Sequence, residues 1–458
     1  MTITSDVLVR AVDAGDTYLS WRWLDDVRTP AFEVLSAAAT APALTALELA
    51  LGAPRDGERR HDAMRRALSE GAFTDIDRER ELARMLTEAV LPQRLRAEIR
   101  RRLDAGARVC LRLTPSPRLT RVPWELLCLN DDQRLLEIAD VVYEPPAAVH
   151  AERARCPGDW ETVREFPPLF VIDPAVPLRS ARRHELGHVL TLQDLELLSA
   201  RIEEYIDAGR IDAADGETAL QHPTNRVALG TALRTPRSRF FYLGHVTSSA
   251  TEPGSAAIHL TDTVRQWGMA APLRAHDPNG VPIPDPEDHR PFAALDLLLG
   301  TTSADRDVWP RYGFDGPRLG CELWPMPHRV ALIACEGGAD YRAAETFGLV
   351  MAMVNAGAAL VTTTRWTLPA DRAIRALRAG APHPTTTLAL RVDAAHEGPD
   401  PLGELARWQR EQLRQWRATG DLAYTPLVWA ALTHTVAPRR TVSGPPPQEV
   451  DSADRYSG

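Results

Sequence analysis

Apolar and polar positions alternate near the start of the chain as they do in β-strands. The alternation covers residues 4–25 on both sides of a turn at residues 13–16, which predicts a β-hairpin. Apolar residues then recur at helical spacing in residues 31–51 and 78–104, and residues 108–113 return to the pattern of a strand. This part of the chain therefore predicts a hairpin, two helical regions and a further strand.

From residue 169 onward, short apolar runs alternate with amphipathic stretches. The predicted strands are 169–173, 239–244, 329–334, 358–364 and a final strand at 426–434. The predicted helices are 191–209, 343–357 and 402–420. Such alternation predicts an α/β fold, a mostly parallel sheet flanked by helices.

The chain of 458 residues is long enough for two or three domains. We place a boundary near residue 155, giving an N-terminal unit of residues 1–155 and a second unit of residues 156–437. Residues 270–328 are rich in Pro, Asp and Gly and read as a long exposed loop. Residues 438–458 are predicted to be a disordered tail.

Composition excludes several classes of function. The net charge is −9, from 62 acidic and 53 basic residues, which does not suit nucleic acid or an anionic membrane as the main partner. All the basic residues are arginine, so Walker A and Schiff-base chemistry, which need lysine, are impossible. The five cysteines form no CxxC pair, and neither a signal peptide nor an 18-residue apolar stretch is found, so we expect a cytoplasmic protein.

Two reactive residues directly follow predicted parallel strands. His245 ends FYLGH, and Cys335 follows RVALIA. Ligands and catalytic groups gather where such strands end, and a thiol needs a neighbouring base to become a thiolate at neutral pH. The pattern predicts a Cys–His pair, with Gly337 and Gly338 permitting a tight turn beside the nucleophile.

Five motifs in order resemble the CHAT family of caspase-like cysteine peptidases, which are related to caspases and separases. They are VPWELL at 122–127, FYLGH at 241–245, VALIACEGG at 330–338, AGAALVTTTRWTLPADRA at 356–373 and PLVWAALTH at 426–434. The resemblance covers roughly residues 1–437. It implies that Cys335 is the nucleophile and His245 the general base, with the backbone N–H groups of Val246 and Cys335 holding the oxyanion.

The resemblance also implies a wider context. Residues 1–155 would be a pseudo-caspase half that braces a catalytic half at 156–437. The family needs no cofactor and cleaves a protein substrate, and it suggests a role in bacterial conflict, antiviral defence or regulated cell death. The chain has no room for a sensor domain, so we expect the activator to be a separate protein.

One departure from the family pattern leaves an alternative open. The family usually has Gly directly after the histidine, whereas this chain has Val246. Valine cannot adopt a positive φ cheaply, and its side chain could narrow the cleft. A catalytically inactive scaffold with the same fold therefore remains a second hypothesis.

A third hypothesis comes from residues 184–188, which read HELGH. In zinc peptidases this spacing places two imidazoles on one helix face with the glutamate as base, here His184, His188 and Glu185. Arg182 and Arg183 next to the first histidine would oppose a zinc ion. Glu203 or Glu204 could supply a third ligand, so the zinc site is retained as the weaker alternative.

Substrate preference depends on the charge of the S1 pocket. Glu336 and Asp340 lie close to Cys335 in sequence, and Arg365 follows the predicted strand at 358–364. Acidic groups in S1 would select Arg or Lys before the scissile bond, and a cation would select Asp or Glu. Basic P1 residues in the separase branch and the net charge of −9 favour a basic P1 residue here.

Overall fold

The computed structural model of the chain describes residues 4–52, 55, 57–130, 133–151, 153–177, 186–220, 224–247, 254–277, 279, 281–334, 346–378 and 382–437. Of the candidate catalytic, oxyanion-hole and S1 residues and the histidines and glutamate of HELGH, four are described: His188, His245, Val246 and Arg365. His184, Glu185, Cys335, Glu336 and Asp340 lie outside the described residues, as does the predicted tail at 438–458.

The strands follow the predicted apolar runs, with a few short additions in the middle of the chain. They are β1 (Thr4–Ala14), β2 (Asp16–Trp23), β3 (Asp26–Leu35), β4 (Arg108–Thr114), β5 (Ala139–Tyr143), β6 (Leu169–Ile172), β7 (Arg239–Gly244), β8 (Val246–Thr247), β9 (Ala257–Ile258), β10 (Ala275–His276), β11 (Pro282–Ile283), β12 (Phe292–Ala293), β13 (Arg329–Ala334), β14 (Leu360–Thr364) and β15 (Leu432–Val436).

The helices range from single turns to five turns. They are α1 (Ala37–Ala50), α2 (Arg60–Glu70), α3 (Ile76–Val90), α4 (Gln93–Asp104), α5 (Leu135–Ile138), α6 (Ala147–Ala151), α7 (Trp160–Val163), α8 (Leu192–Asp207), α9 (Gly216–Leu220), α10 (Arg226–Arg234), α11 (Ala294–Leu299), α12 (Gly320–Leu323), α13 (Thr346–Asn355), α14 (Asp371–Leu377), α15 (Pro384–Glu397), α16 (Pro401–Thr419) and α17 (Pro426–Trp429). No helix in the described ranges is both long and apolar enough to cross a bilayer.

Within the described residues, ten strands form one sheet in the order β3-β2-β1-β4-β5-β15-β14-β13-β7-β6. Six of its nine neighbouring pairs are parallel, the exceptions being β1–β2, β2–β3 and β14–β15. The predicted hairpin and the mostly parallel α/β sheet are therefore confirmed. β8, β9 and β12 form a separate small sheet beside the end of β7.

Side chains of the central strands alternate between two apolar cores. On β7, Phe241 and Leu243 join one core cluster, whereas Phe240 and Tyr242 join the other. On β13, the same alternation places Val330 and Leu332 in the second cluster. Because successive side chains of a strand point to opposite faces, both faces of the sheet are covered. This explains why β7 and β13 are buried along their whole length.

The sheet continues across the boundary predicted near residue 155. β15, at the end of the chain, pairs in parallel with β5, and Thr435 lies opposite Tyr143. One core cluster contains residues from both predicted units, such as Val109 and Leu432. The N-terminal strands and the C-terminal strands thus share a single sheet.

Four local predictions need correction. Residues 31–35 belong to β3, because they pair with β2, and only residues 37–50 of the predicted helix are helical. The region 78–104 forms two helices, since Pro92 lacks the N–H that a continuing helix requires.

The end of the chain and the predicted long loop also differ from expectation. Residues 426–429 of the predicted last strand form a helical turn that starts with Pro426 and is capped by the Thr425 hydroxyl. The region 270–328 is not a structureless loop, because it contains β10–β12 and α11–α12.

Candidate active site

The site is placed by two neighbouring parallel strands that end at the same level. Gly244, the last residue of β7, is the register partner of Ala334, the last residue of β13. His245 directly follows β7, and Cys335 directly follows β13. The structure describes His245 but not Cys335. The register thus supports the predicted proximity of the two strand ends without giving the position of the thiol.

His245 presents one bonded ring nitrogen and one open one. Its side chain is almost completely buried, and Nε2 lies 2.7 Å from the carbonyl oxygen of Gly187. A carbonyl can only accept, so Nε2 carries the proton and Nδ1 carries the lone pair. Nδ1 is buried and has no hydrogen-bond partner among the described residues. The ring is therefore arranged as a base with a free acceptor nitrogen.

The surroundings of His245 keep the imidazole neutral. Burial lowers its pKa below the ordinary value of 6.5, and this outweighs the opposing effects of the Gly187 carbonyl and the Asp173 carboxylate. Arg372 and His188 lower it further. At neutral pH the ring is unprotonated, which is the form that can accept a proton from a thiol.

The Gly187 carbonyl is held in place by a carboxylate at the end of β6. Asp173 accepts hydrogen bonds from the backbone N–H groups of Val189 (3.1 Å) and Leu190 (3.1 Å). Its own backbone is unusual, with a φ of 44°, and its N–H donates to the Leu243 carbonyl on β7 (2.7 Å). A non-glycine residue with positive φ is strained, and such strain clusters at functional sites.

Neither Asp173 nor Gly187 was identified as part of the site from the sequence. The available signal was the position of Asp173 as the last residue of the predicted strand at 169–173, at the edge where ligands gather. Gly187 lies 58 residues before His245 and carries no side chain, so no local pattern marks its role.

Val246 is positioned to offer its backbone N–H. It lies in β8, opposite Ile258 of β9, and the preceding pair is joined by a hydrogen bond from the His259 N–H to the His245 carbonyl (3.2 Å). Bonded and non-bonded pairs alternate in an antiparallel ladder, so the Val246–Ile258 pair is non-bonded. The N–H of Val246 therefore points away from β9, and β8 is an edge of its small sheet.

The concern about valine at this position does not apply to the conformation found. Val246 is in extended backbone, the region that β-branched residues favour. Its side chain packs, partly buried, against the core cluster that contains Ile258 and Phe292. Glycine is therefore not required by the backbone here.

The structure does not favour Arg365 as an S1 cation. Its side chain is buried and forms a 2.6 Å ion pair with Glu125. The same guanidinium donates to the Val122 carbonyl (2.6 Å), the Tyr143 hydroxyl (3.0 Å) and the Leu432 carbonyl (2.6 Å). These contacts connect the VPWELL segment to the end of β14, so Arg365 has a structural role.

The described part of HELGH does not have the geometry of a zinc helix. Residues 186–190 are non-helical, and the Gly187 carbonyl faces His245. The side chain of His188 is 67% exposed, and its Nδ1 lies 3.2 Å from Asp173. Two imidazoles bind one zinc at this spacing only on a helix face, so this geometry does not support the zinc alternative.

A different group in the described ranges has metal-ligand spacing: Asp194, Asp371 and His383, whose ligand atoms lie within 4.8 Å of one another. Each carboxylate already has partners, because Asp371 accepts from the Thr385 (2.8 Å) and Thr386 (2.9 Å) N–H groups. Asp194 accepts from the Thr191 N–H (2.8 Å) and pairs with His383.

The Arg375 guanidinium lies 3.9 Å from Asp194 and 3.2 Å from the ring of His383. A cation is therefore already provided by the chain, and these hydrogen bonds hold α8, α14 and α15 together. This arrangement gives no support to a metal at that position.

A cavity of about 820 Å³ opens beside the segment that carries Gly187. Residues from β6, α8 and α9 line it, including Phe170, Leu195 and Leu220 on the apolar side. Glu196, Glu203 and Glu217 add carboxylates. The cavity can hold a side chain that combines an apolar stem with a positive charge.

The described cysteines include two with suppressed reactivity. Burial raises the pKa of the Cys110 thiol to about 12 and also raises the pKa of Cys321. A protonated thiol is a poor nucleophile, so these two cysteines do not compete with Cys335 for the proposed chemistry.

No family model and no curated protein sequence matches the chain. Among solved structures, it is similar to the Saccharomyces cerevisiae separase–securin complex determined at 3.0 Å resolution, with a TM-score of 0.45 and 9% identity over 95% of this chain and 30% of that chain. A second structure of the same complex, at 2.6 Å resolution, gives a TM-score of 0.41 and 9% identity over 94% of this chain and 30% of that chain. The chain thus spans less than a third of the length of these matched chains. A TM-score below 0.5 does not establish a shared fold, so the function is argued from the geometry of this chain.

Proposed function

We propose that the protein is a caspase-like cysteine endopeptidase with Cys335 as nucleophile and His245 as general base. The observation that carries the proposal is the state of His245: its Nε2–H donates to the Gly187 carbonyl, and its buried Nδ1 has no partner among the described residues. The register of Gly244 with Ala334 supports it, since the two candidate residues follow these positions. The CHAT-like motifs supply the reaction class.

In the proposed mechanism, Nδ1 of His245 takes the proton of the Cys335 thiol. The sulfur attacks the carbonyl carbon of the scissile peptide bond, and the resulting oxyanion accepts hydrogen bonds from the N–H groups of Val246 and Cys335. His245 then gives its proton to the leaving amine, and the C–N bond breaks. A water molecule, deprotonated by His245, hydrolyses the thioester and releases the acid product. No metal or organic cofactor takes part.

Asp173 and the Gly187 carbonyl orient the imidazole of His245 for its proposed role as a general base. Asp173 orders the segment that presents Gly187, and the Gly187 carbonyl fixes the tautomer. The bonded Nε2–H also helps to disperse the positive charge that appears when Nδ1 is protonated. The chain therefore supplies both the orientation and the stabilisation that a general base requires.

We also propose that the substrate is a protein cleaved after a basic residue, with Glu336 and Asp340 as S1 groups. The carboxylates of Glu196, Glu203 and Glu217 in the cavity beside the Gly187 segment support a preference for a positively charged substrate. The family resemblance adds a separate activating protein and a role in bacterial conflict or regulated cell death.

A thiol-reactive peptide probe tests the proposal. The probe carries Arg at P1, and a second probe carries Asp. We expect the Arg probe to label the wild-type protein at Cys335 and Cys335→Ala to abolish both labelling and peptide cleavage. Cys156→Ala removes an exposed thiol and serves as the matched control, which should keep full activity.

Three outcomes contradict parts of the proposal. Normal cleavage by Cys335→Ala would exclude the dyad. No labelling of a folded protein by either probe, with its activating partner present, would indicate the non-catalytic scaffold. Labelling by the Asp probe alone would reverse the assigned P1 preference.

A further inference from the structure

Behind His245, three polar side chains form a continuous hydrogen-bonded line. The Thr247 hydroxyl lies 2.9 Å from Nε2 of His259, and Nδ1 of His259 lies 2.9 Å from Nε2 of His289. Nδ1 of His289 lies 2.8 Å from the carbonyl oxygen of Asp262. Both imidazoles are fully buried, and their rings stack with centroids 5.0 Å apart. We name these three residues the Thr247–His259–His289 chain.

The Asp262 carbonyl determines the direction of every hydrogen bond in this chain. It can only accept, so Nδ1 of His289 carries a proton and Nε2 carries a lone pair. That lone pair accepts the N–H of His259 Nδ1, which leaves Nε2 of His259 as an acceptor. The Thr247 hydroxyl must then donate to His259. All four polar ring atoms are satisfied when both rings are neutral.

The electrostatic surroundings favour these neutral rings. Burial lowers the pKa of His259 well below its ordinary value, with further lowering from His289 and His245. Burial also lowers the pKa of His289 to about 4, against the raising effect of the Asp262 carbonyl and with further lowering from Arg226 and His245. Arg226 itself lies 3.3 Å from the carboxylates of Asp262 and Asp296.

The Thr247–His259–His289 chain is hydrogen-bonded to the backbone of His245, the candidate base. The His259 N–H donates to the His245 carbonyl (3.2 Å), and the Tyr242 hydroxyl donates to the same oxygen (2.7 Å). The His259 ring meets the His245 ring edge-on at 6.3 Å between centroids. Thr247 lies two residues after His245, in the strand that also carries Val246. The hydrogen bonds therefore hold residues 245–247 at both ends, through the His245 carbonyl and the Thr247 hydroxyl.

We propose that the Thr247–His259–His289 chain positions His245 and the Val246 N–H for catalysis, so that its three members are positioning residues of the same site. The inference rests on the proposed peptidase function. None of the three side chains touches the substrate in this proposal. Their effect comes from holding β8 rigidly against the buried histidine pair, because a preorganised donor and base lower the barrier of the chemical step.

Substitution of Thr247 tests the role with little risk to folding. Thr247→Val keeps the shape but removes the donor to His259. We expect kcat to fall about tenfold with KM changed less than twofold, since ordering of the base and the oxyanion donor acts on the chemical step. Thr247→Ser restores the hydroxyl and should restore kcat to within about twofold. Thr302→Val, which removes an exposed hydroxyl bonded to the Leu299 carbonyl, is the matched control.

A measurement without turnover separates this inference from the proposed function. In Cys335→Ala, ¹⁵N NMR of the histidines should show Nδ1–H tautomers for His259 and His289 and an Nε2–H tautomer for His245. The pKa of His245 in this background should rise towards 6.5 when Thr247→Val is added and should not change with Thr247→Ser. If His245 keeps the same pKa with Thr247→Val, or if the histidine tautomers are reversed, the inference is wrong. Absence of peptidase activity alongside the expected NMR result would overturn only the proposed function.

Discussion

His245 and Arg365 both follow parallel strands at the same edge of the sheet, one after β7 and the other after β14. Both side chains are almost fully buried, at 3% and 5% exposure. They differ in which side-chain nitrogen atoms lack a hydrogen-bond partner among the described residues. Arg365 uses both terminal nitrogens on four acceptors, including Glu125, and only Nε, a donor that cannot take up a proton, lacks a partner among the described residues. In His245, the nitrogen without a partner among the described residues is Nδ1, an acceptor.

The comparison shows that burial at a strand end does not by itself indicate a site. A buried polar group with its hydrogen bonds satisfied contributes to stability and specificity of the fold. A buried group with an unused acceptor incurs a desolvation cost, and at the end of a strand beside that of the candidate nucleophile this is the state expected of a base. Changes at His245 should therefore affect turnover, and changes at Arg365 should affect stability.

The largest expected effect is on turnover, in His245→Gln. Glutamine can still donate an amide N–H towards the Gly187 carbonyl but offers no basic nitrogen, so kcat/KM should fall by about 10³-fold or more. Thermal unfolding should stay within a few degrees of the wild type, measured by circular dichroism. Equal activity in the two proteins would show that His245 is a structural residue like Arg365.

The next effect is on stability, in Arg365→Met. The substitution leaves Glu125 buried without its cation, which should lower the free energy of unfolding by about 3–5 kcal/mol in urea titrations. Adding Glu125→Leu removes the unpaired charge and should recover most of the loss. Arg84→Met, which removes exposed ion pairs on α3, is the control and should leave the free energy of unfolding close to that of the wild type. A loss of turnover in folded Arg365→Met, with its stability unchanged, would contradict the structural role.

The parts of the fold predicted correctly from sequence are those set by local patterns. β7 and β13 are buried on both faces, so each is an apolar run after its first arginine, and buried positions alternate with more exposed ones along β1 and β2. β3 was missed because its pairing with β2, rather than its composition, makes it a strand.

The candidate site was predicted only where a reactive side chain directly follows a strand. His245 and Cys335 meet that condition in the sequence, whereas Val246 was identified only through the family resemblance. The Gly187 carbonyl does not meet it, because a backbone atom has no sequence signature. The pairing of His259 with His289 joins residues 30 positions apart, and only His289 lies in the region 270–328 that was predicted to be a loop. Such contacts depend on the small sheet of β8, β9 and β12, whose two-residue strands are too short to show a hydrophobic periodicity in the sequence.

A smaller effect is expected on the pH dependence of kcat/KM. Because the pKa of His245 lies below 6.5, kcat/KM should stay level from neutral pH down to below 6.5 and then fall about tenfold per pH unit as the ring is protonated. The arginine at the end of β14 does not titrate in this range. A pH–rate profile with its acid limb above 6.5 would contradict the assigned state of His245.

The same histidines determine the sign of the pH effect on stability. Folded His245 and His289 bind protons less readily than the unfolded chain, in which the rings titrate near 6.5. The unfolded state therefore takes up more protons as the pH falls, and stability decreases below about 6.5 until the folded rings also titrate, near 4 for His289. Urea unfolding at pH 7.5, 6 and 5 should show this decrease, and a constant midpoint would contradict it.

The smallest expected effect separates the dyad from the zinc alternative. His188→Ala removes a mostly exposed imidazole next to Asp173, while the N–H groups of Val189 and Leu190 remain to hold that carboxylate. Turnover should therefore stay within about threefold of the wild type, because neither the Gly187 carbonyl nor the open nitrogen of His245 is changed. His184→Ala, outside the described residues, should behave in the same way, and a chelator should not inhibit. If either variant keeps its fold but loses all activity together with a stoichiometric zinc ion, measured by elemental analysis, the chemistry belongs to HELGH and the open nitrogen of His245 does not mark the active site.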